Sequence, residues 1–446
     1  MLALTSVASS LDLELSRRMA GPQRHRLLQG YPMPAMMPQF RRGEHTLTPC
    51  VLDHSRPLIV GVLPHSSCAP SVAGCGFCTF PHEQFRASEV RATVEAVLHE
   101  VRQRAPELAG RRVDALYFGG GTANLTPVDS FKRLWKELKS AFGLDDAEIS
   151  LEGAPAFFRP ALLDVIDVPR KRVSLGVQSF DPAQLERMGR TAIGGPPAVE
   201  SALRAARARG YTTSADMLIN LPHQTRAEML RDLATAVSLG FDQICLYHLV
   251  LFRGLGTAWA RDRSLVESVS AEPYENWLAC REYLLGCGYE QKSLTNFERA
   301  GDYRYEECSF HPETYDAVGF GPSGISGFAD PAGSMAVKWL NEDSSVGYRE
   351  AMAADGLAFA RRFLYGEVDL QLLHATRGLS RLHVDRRHFR WEWEAVEAAG
   401  LVEGNTLTPK GMFYADSIAG LLAAGRVRDI RNGLTDDNES KKIHMG

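Results

Sequence analysis

Between Leu58 and Leu249 the chain alternates short β-rich runs with amphipathic helical stretches, and this alternation limits the folds open to it more than any other feature. Strands are expected near Leu58–Leu63, Ala115–Phe118, Glu148–Glu152, Val173–Gln178, Ser214–Leu218 and Gln243–Leu249. Between them, SEVRATVEAVLHEVRQRA, VDSFKRLWKELKSAF, PAVESALRAARARG and TRAEMLRDLATAVSLG repeat apolar residues at helical spacing. Strand–helix units with connections of this length imply parallel strands joined by right-handed crossovers. An α/β fold follows, either a doubly wound stack or a barrel that stops short of eight strands. The polar residues separate the two. Glu152, Gln178, Asp216 and Tyr247 each lie in or just after successive predicted strands, so they converge on the C-terminal rim of one partial (β/α)6 barrel.

The flanks read differently. Residues 1–55 carry RHRLLQGYPMPAMMPQFRRG, whose prolines and arginines interrupt long periodicity; they are expected to form an extension laid over the main domain. The barrel is expected over 56–345, and 346–430 reads as short helices followed by a small hairpin, like a winged-helix module. The polar end, 431–446, is expected to be disordered.

With 446 residues, 45% of them hydrophobic, the chain can bury a large core. Its 50 basic and 54 acidic side chains leave a formal charge of −4, which supplies no general attraction to nucleic acid or to an anionic membrane. The sequence has no apolar run of about 18 residues or more and no basic-then-apolar leader, so a cytoplasmic protein is expected. There, eight cysteines imply metal or redox chemistry rather than a disulfide framework.

Three of those cysteines, Cys68, Cys75 and Cys78, stand together in SCAPSVAGCGFCTF, directly after the first predicted strand. A zinc site needs a fourth ligand, which His65 or His82 would have to provide. A thioredoxin-like Cys75–Cys78 pair would leave Cys68 idle. Three thiolates on a four-iron cluster leave one iron open to a small molecule, and soft sulfur ligands suit such a cluster. Further on, GGGT at 119–122 forms a tight turn after the second predicted strand, where absent Cβ atoms let the backbone of Gly119 and Gly120 approach a ligand. GFGPSG at 319–324 formally spells a dinucleotide motif, but no strand–helix unit opens there.

The cysteine loop ending in Cys75, Phe77 and Cys78, followed by YFGGGTANLTP, LEGAP, VSLGVQSF, SADMLINLPHQT and GYEQKSLTNFER, resembles the radical S-adenosylmethionine (SAM) superfamily. Within it, residues 57–420 are similar to the branch of oxygen-independent coproporphyrinogen III dehydrogenase and its relatives. The chain departs from that pattern at one place: the family spaces its first two cysteines by three residues, whereas six separate Cys68 from Cys75.

The resemblance implies a [4Fe-4S] cluster on Cys68, Cys75 and Cys78. It also implies a first SAM held by Gly119, Gly120, Glu152, Gln178, Asp216 and Arg190, the last meeting the SAM carboxylate. It places Phe77, Thr122 and Ile325 near a second SAM, and Glu307, with Cys308 beside it, at a substrate-contacting position. His248 is either a proton carrier or an ordinary rim histidine. An electron donor such as flavodoxin or ferredoxin is implied, with a small molecule as substrate. Three functions compete: methylation or cyclopropanation of an sp2 carbon with a second SAM, porphyrin decarboxylation or haem ring opening, and non-enzymatic haem delivery. The fourth cysteine usual in the decarboxylase is Phe80 here, and Glu307 replaces its pocket residue. The expectation is therefore the first, a class C methyltransferase or cyclopropanase.

Overall fold

In the computed structural model, which describes residues 2–24, 26–40 and 52–432, each of the six apolar runs forms a strand. These are β1 (Leu58–Val62), β2 (Val113–Phe118), β3 (Glu148–Gly153), β4 (Lys171–Gln178), β5 (Thr212–Ile219) and β6 (Gln243–His248). They lie side by side and parallel in chain order.

The connecting helices α1 (Ala87–Arg104), α2 (Val128–Phe142), α3 (Pro196–Arg207) and α4 (Arg226–Ser238) fall on the amphipathic stretches. Local chemistry sets their ends. Helix α2 stops at Gly143, which takes φ 59° where a side chain would be strained. Helix α4 starts in a capping box between Thr225 and Glu228. Alternation along the strands sends Leu116, Leu151, Val173, Ala215 and Leu246 outward into a core shared with Val97, Leu134, Leu203 and Leu233. The residues between them face inward. Tyr117, Glu152, Ser174, Asp216 and Tyr247 line one cavity, so the sheet is curled rather than flat.

The sheet grows beyond the six strands at both ends. On one side β8 (Asn296–Glu298) pairs antiparallel with β6, and β7 (Glu290–Gln291) pairs antiparallel with β8. A short helix, α5 (Arg304–Ser309), then lies against the inner surface, with Tyr305 stacked on Tyr117 at 4.9 Å. On the other side β9 (Asp316–Phe320) pairs parallel with β1, and β10 (Ile325–Ala329), β11 (Ala336–Asn341) and β12 (Phe359–Tyr365) continue antiparallel. The order is β12-β11-β10-β9-β1-β2-β3-β4-β5-β6-β8-β7, and the two end strands do not meet. The result is a partial barrel.

The sheet therefore continues past residue 345, through β12. Helix α6 (Glu367–Ser380) begins the C-terminal helical part, which also holds helices Arg390–Ala398, Pro409–Phe413 and Ala415–Leu422 and a hairpin of Val402–Glu403 with Thr406–Leu407. The N-terminal extension packs on this part: Leu15, Leu28 and Tyr31 share a core with Leu373, Leu379 and Ile418. Arg431 and Asn432, placed in the expected tail, are helical, and 433–446 lie outside the described residues.

Candidate active site

The cysteine loop leaves β1 through Pro64 and buried His65. His65 uses both ring nitrogens locally: Nδ1 accepts from the Ser67 N–H at 3.1 Å, and Nε2 lies 3.2 Å from Thr126 Oγ1. Burial pushes its pKa down to about 4. His82 is committed too, with Nδ1 2.9 Å from the Phe80 carbonyl. Among the described residues, no three His, Cys, Asp or Glu side chains converge on a single metal ion. The local bonds of His65 and His82 leave neither ring free as the fourth ligand that a zinc site would need.

Tight backbone geometry shapes the loop. Cys75 sits at φ 53° between Gly74 at φ 57° and Gly76 at φ 82°, a left-handed run that a non-glycine residue rarely joins. A Cβ on Gly76 would lie 2.0 Å from the Trp259 indole nitrogen. The N–H groups of Phe77 and Cys78 both donate to the Gly74 carbonyl, at 3.2 and 2.8 Å. The wide spacing between Cys68 and Cys75 has a structural use, because the loop crosses to the turn before Arg190 and the Ser71 N–H donates to the Gly189 carbonyl at 3.1 Å.

The glycine run packs against this loop. A Cβ on Gly121 would stand 2.4 Å from the Ser67 carbonyl oxygen, and one on Gly120 would stand 2.9 Å from that of His65. The Thr122 N–H donates to Ser67 O at 2.9 Å. Gly119 instead faces Tyr117 and Glu152. Burial pushes the Cys68 thiol up to about 12 and raises that of Cys78. Metal coordination is what offsets such a cost for thiolates.

Beside the loop lies a cavity of about 450 Å³, lined by Phe77, Tyr117, Glu152, Gln178, Asp216 and Tyr247 among others. Glu152 accepts from the Tyr117 hydroxyl, and Asp216 accepts from Ser174 Oγ at 3.1 Å. Burial raises the pKa of both carboxyl groups, and the charge of Asp216 raises that of Glu152 further. Two half-buried acids in one cavity fit a cationic ligand. Gln178 closes β4 at φ 70°, an unusual conformation for its residue type. Arg190 spans loop and barrel: Nη1 lies 3.5 Å from Cys75 Sγ, Nη2 donates to the Gly176 carbonyl, and its Nε is buried without a partner.

The structure brings together Cys68, Cys75, Cys78, Phe77, Gly119, Gly120, Thr122, Glu152, Gln178, Arg190 and Asp216. It sets Glu307 and Ile325 apart. Glu307 is exposed and lines a different cavity, while its neighbour Glu306 turns inward and accepts from Ser293. Ile325, 48% exposed, opens onto a third cavity with Cys308. Helix α5 stands between: Tyr303, just before it, lines the first cavity, and Cys308 within it lines the third. Cys308 also packs with Ile59 and Ala115 in the core. His248 lines the first cavity and stacks on Phe413, with ring centroids 4.9 Å apart.

Sequence reasoning missed Gln23 and Arg24. The N-terminal extension carries both to the mouth of the first cavity, where Arg24 lies over Phe252 and its N–H donates to Asp416. Nothing local in the sequence marks them.

Residues 72–236 match the family model of the Radical SAM superfamily. This segment is similar to radical SAM domains. That similarity implies a [4Fe-4S] cluster and SAM, and the three thiols, the orphaned Arg190 Nε and the two half-buried acids fit that pair. Among curated relatives, the chain is 28% identical to anaerobilin synthase of Escherichia coli O157:H7 over 63% of this chain and 62% of that one. It is 30% identical to oxygen-independent coproporphyrinogen III oxidase of Paracoccus denitrificans over 51% of each. It is 27% identical to heme chaperone HemW of Mycobacterium tuberculosis over 77% of this chain and 90% of that one. The first two matches thus span roughly half to three-fifths of those relatives' length. The solved structure of coproporphyrinogen III oxidase (HemN) from Escherichia coli superposes with a TM-score of 0.73 at 21% identity, covering 88% of this chain and 96% of that one. Over that span the fold of this chain is that of HemN.

Proposed function

We propose that the chain is a radical SAM enzyme acting on a small molecule. One observation carries this reading: a three-cysteine loop borders a cavity into which successive strands deliver Glu152, Gln178 and Asp216. When bound, the cluster supplies the electron that cleaves SAM to methionine and a 5′-deoxyadenosyl radical, which abstracts a hydrogen atom. Cys68, Cys75 and Cys78 would hold the cluster, and Arg190 would meet the SAM carboxylate. Glu152, kept in place by Tyr117, would take the ammonium, with Asp216 and Gln178 toward the ribose. The walls of the cavity, including Tyr247 and Leu249, would shield a ligand bound there from solvent. A flavodoxin or ferredoxin would deliver the electron.

The names of the relatives, a coproporphyrinogen III oxidase and a heme chaperone, favour a tetrapyrrole as the substrate. A second reading rests on Phe77, which faces the same cavity as Glu152, and on Thr122 beside Cys68, as a second SAM would require. In that case the radical takes a hydrogen from the methyl group of the second SAM, and the resulting methylene radical adds to an sp2 carbon for methylation or cyclopropanation.

Trideuteromethyl SAM separates the two. With coproporphyrinogen III or haem as the substrate, unlabelled 5′-deoxyadenosine, substrate loss and no S-adenosylhomocysteine support tetrapyrrole chemistry. Deuterium in 5′-deoxyadenosine, with a comparable amount of S-adenosylhomocysteine, supports methylene transfer. Haem binding without either product contradicts an enzymatic role.

A further inference from the structure

On the far side of α5 the inner surface of the sheet holds a cavity of about 220 Å³, enclosed by the N-terminal extension, β9–β11 and α6. Its walls are largely apolar, with Ile59, Ala317, Phe328, Leu370 and Leu373 among them. Besides Arg56, which Asp316 engages, two cations line it. Lys338, only 7% exposed, donates to the carbonyls of Gly30 and Pro32 at 3.0 and 2.9 Å. Arg377 donates from Nη1 to the Leu28 carbonyl at 3.0 Å.

Among the described residues, no carboxylate bears on either cation. The two acids on the cavity wall are engaged elsewhere, Asp316 by Arg56 and Arg111, and Glu313 by His311 and Arg381. Burial lowers the pKa of both cations, that of Lys338 to about 7, and the charge of Arg377 adds to the effect on Lys338. An ammonium has three donors and a guanidinium five, so donors of both remain for a ligand. No nitrogen of either is sealed in protein without a partner.

Two adjacent cations with no counter-ion, Lys338 buried and Arg377 half-buried on the wall of an apolar cavity, are costly unless an anion joins them. We propose that this cavity binds a small carboxylic acid with an apolar body, its carboxylate meeting Arg377 and Lys338 and its hydrocarbon lying against Ile59, Ala317 and Leu373. The same pair repels a sulfonium. Ile325 opens onto this cavity, so its surroundings suit an acid better than a second SAM.

The test is calorimetric titration of the reconstituted chain with octanoate and, separately, with octan-1-ol, which keeps the apolar body without the charge. Octanoate should bind at least about ten-fold more tightly than octan-1-ol. Arg377→Gln and Lys338→Met should each erase most of that preference while keeping the far-ultraviolet circular dichroism and SAM binding of the parent. The comparison of the two ligands on the unaltered chain stands even if a variant does not fold. Equal affinity for the two ligands, no octanoate binding, or competition between octanoate and SAM for one site would overturn the proposal.

Discussion

Arg190 joins two structures that would otherwise be separate, since its terminal nitrogens reach both Cys75 Sγ and the Gly176 carbonyl. Its role on SAM is tested by Arg190→Gln, which keeps bulk and removes charge. A lost charge-assisted hydrogen bond is worth about 1.5–3 kcal/mol, so SAM affinity should fall by roughly ten-fold or more. Iron content should stay at the parent level, and unchanged SAM binding would remove Arg190 from the site. Glu152 and Asp216 give a pH signature. Both carboxyl groups have raised pKa values, led by burial, and only their ionised forms attract a cation. Lowering the pH from about 8 to about 6 protonates Glu152, raised to about 7, and part of Asp216, raised to about 6, and should weaken SAM binding. Glu152→Gln should bind SAM more weakly than the parent at pH 8 and show a flatter dependence. A parent profile that is level across this range would contradict the assignment. Residue types at strand ends made Glu152, Gln178 and Asp216 legible in the sequence. The direction of Glu307 was not, because α5 is six residues long and too short to reveal which side faces inward.

At the scale of elements, the first six strands were legible because each is a compact apolar run between helices of clear periodicity. The antiparallel strands β10–β12 were not, because short turns lead into β10 and β11, a helix over Ser345–Asp355 separates β11 from β12, and all three bury only by joining a sheet already made. The widened cysteine loop and the glycine turn are one packed unit, although their sequences are about forty residues apart. Gly121 has an ordinary backbone conformation, so its constraint is purely one of space: a Cβ would stand 2.4 and 2.6 Å from the carbonyl oxygens of Ser67 and Ser66. Gly121→Ala should therefore displace the cysteine strand and reduce iron incorporation severalfold, with the circular dichroism of the barrel retained. Gly286→Ala, with nothing within 4 Å of the added carbon, is the control and should incorporate iron normally. Equal iron in both would show that the two turns are not coupled.

Across the whole molecule, the N-terminal extension ties the C-terminal helices to the mouth of the active-site cavity, a link of contacts distant in sequence that no local pattern encodes. Buried Asp369 is central to it, accepting from the Tyr31 hydroxyl at 2.8 Å and from two nitrogens of Arg426 at 2.8 and 2.9 Å. Asp369→Asn removes the charge that this arginine answers and should cost about 2–4 kcal/mol. Melting should occur several degrees lower, with faster proteolytic cleavage before Leu58, and an unaltered melting temperature would show that the contact is not stabilising. No helix among the described residues is long and apolar enough to cross a membrane. Radical SAM chemistry on the Cys68–Cys75–Cys78 loop is tested most directly by 5′-deoxyadenosine release from SAM under dithionite, using the anaerobically reconstituted chain beside its three single Cys→Ala variants. The parent, loaded with about four iron per chain, should release 5′-deoxyadenosine, and none of the variants should exceed the protein-free blank. Release by any variant, or none from a fully loaded parent, would contradict the assignment.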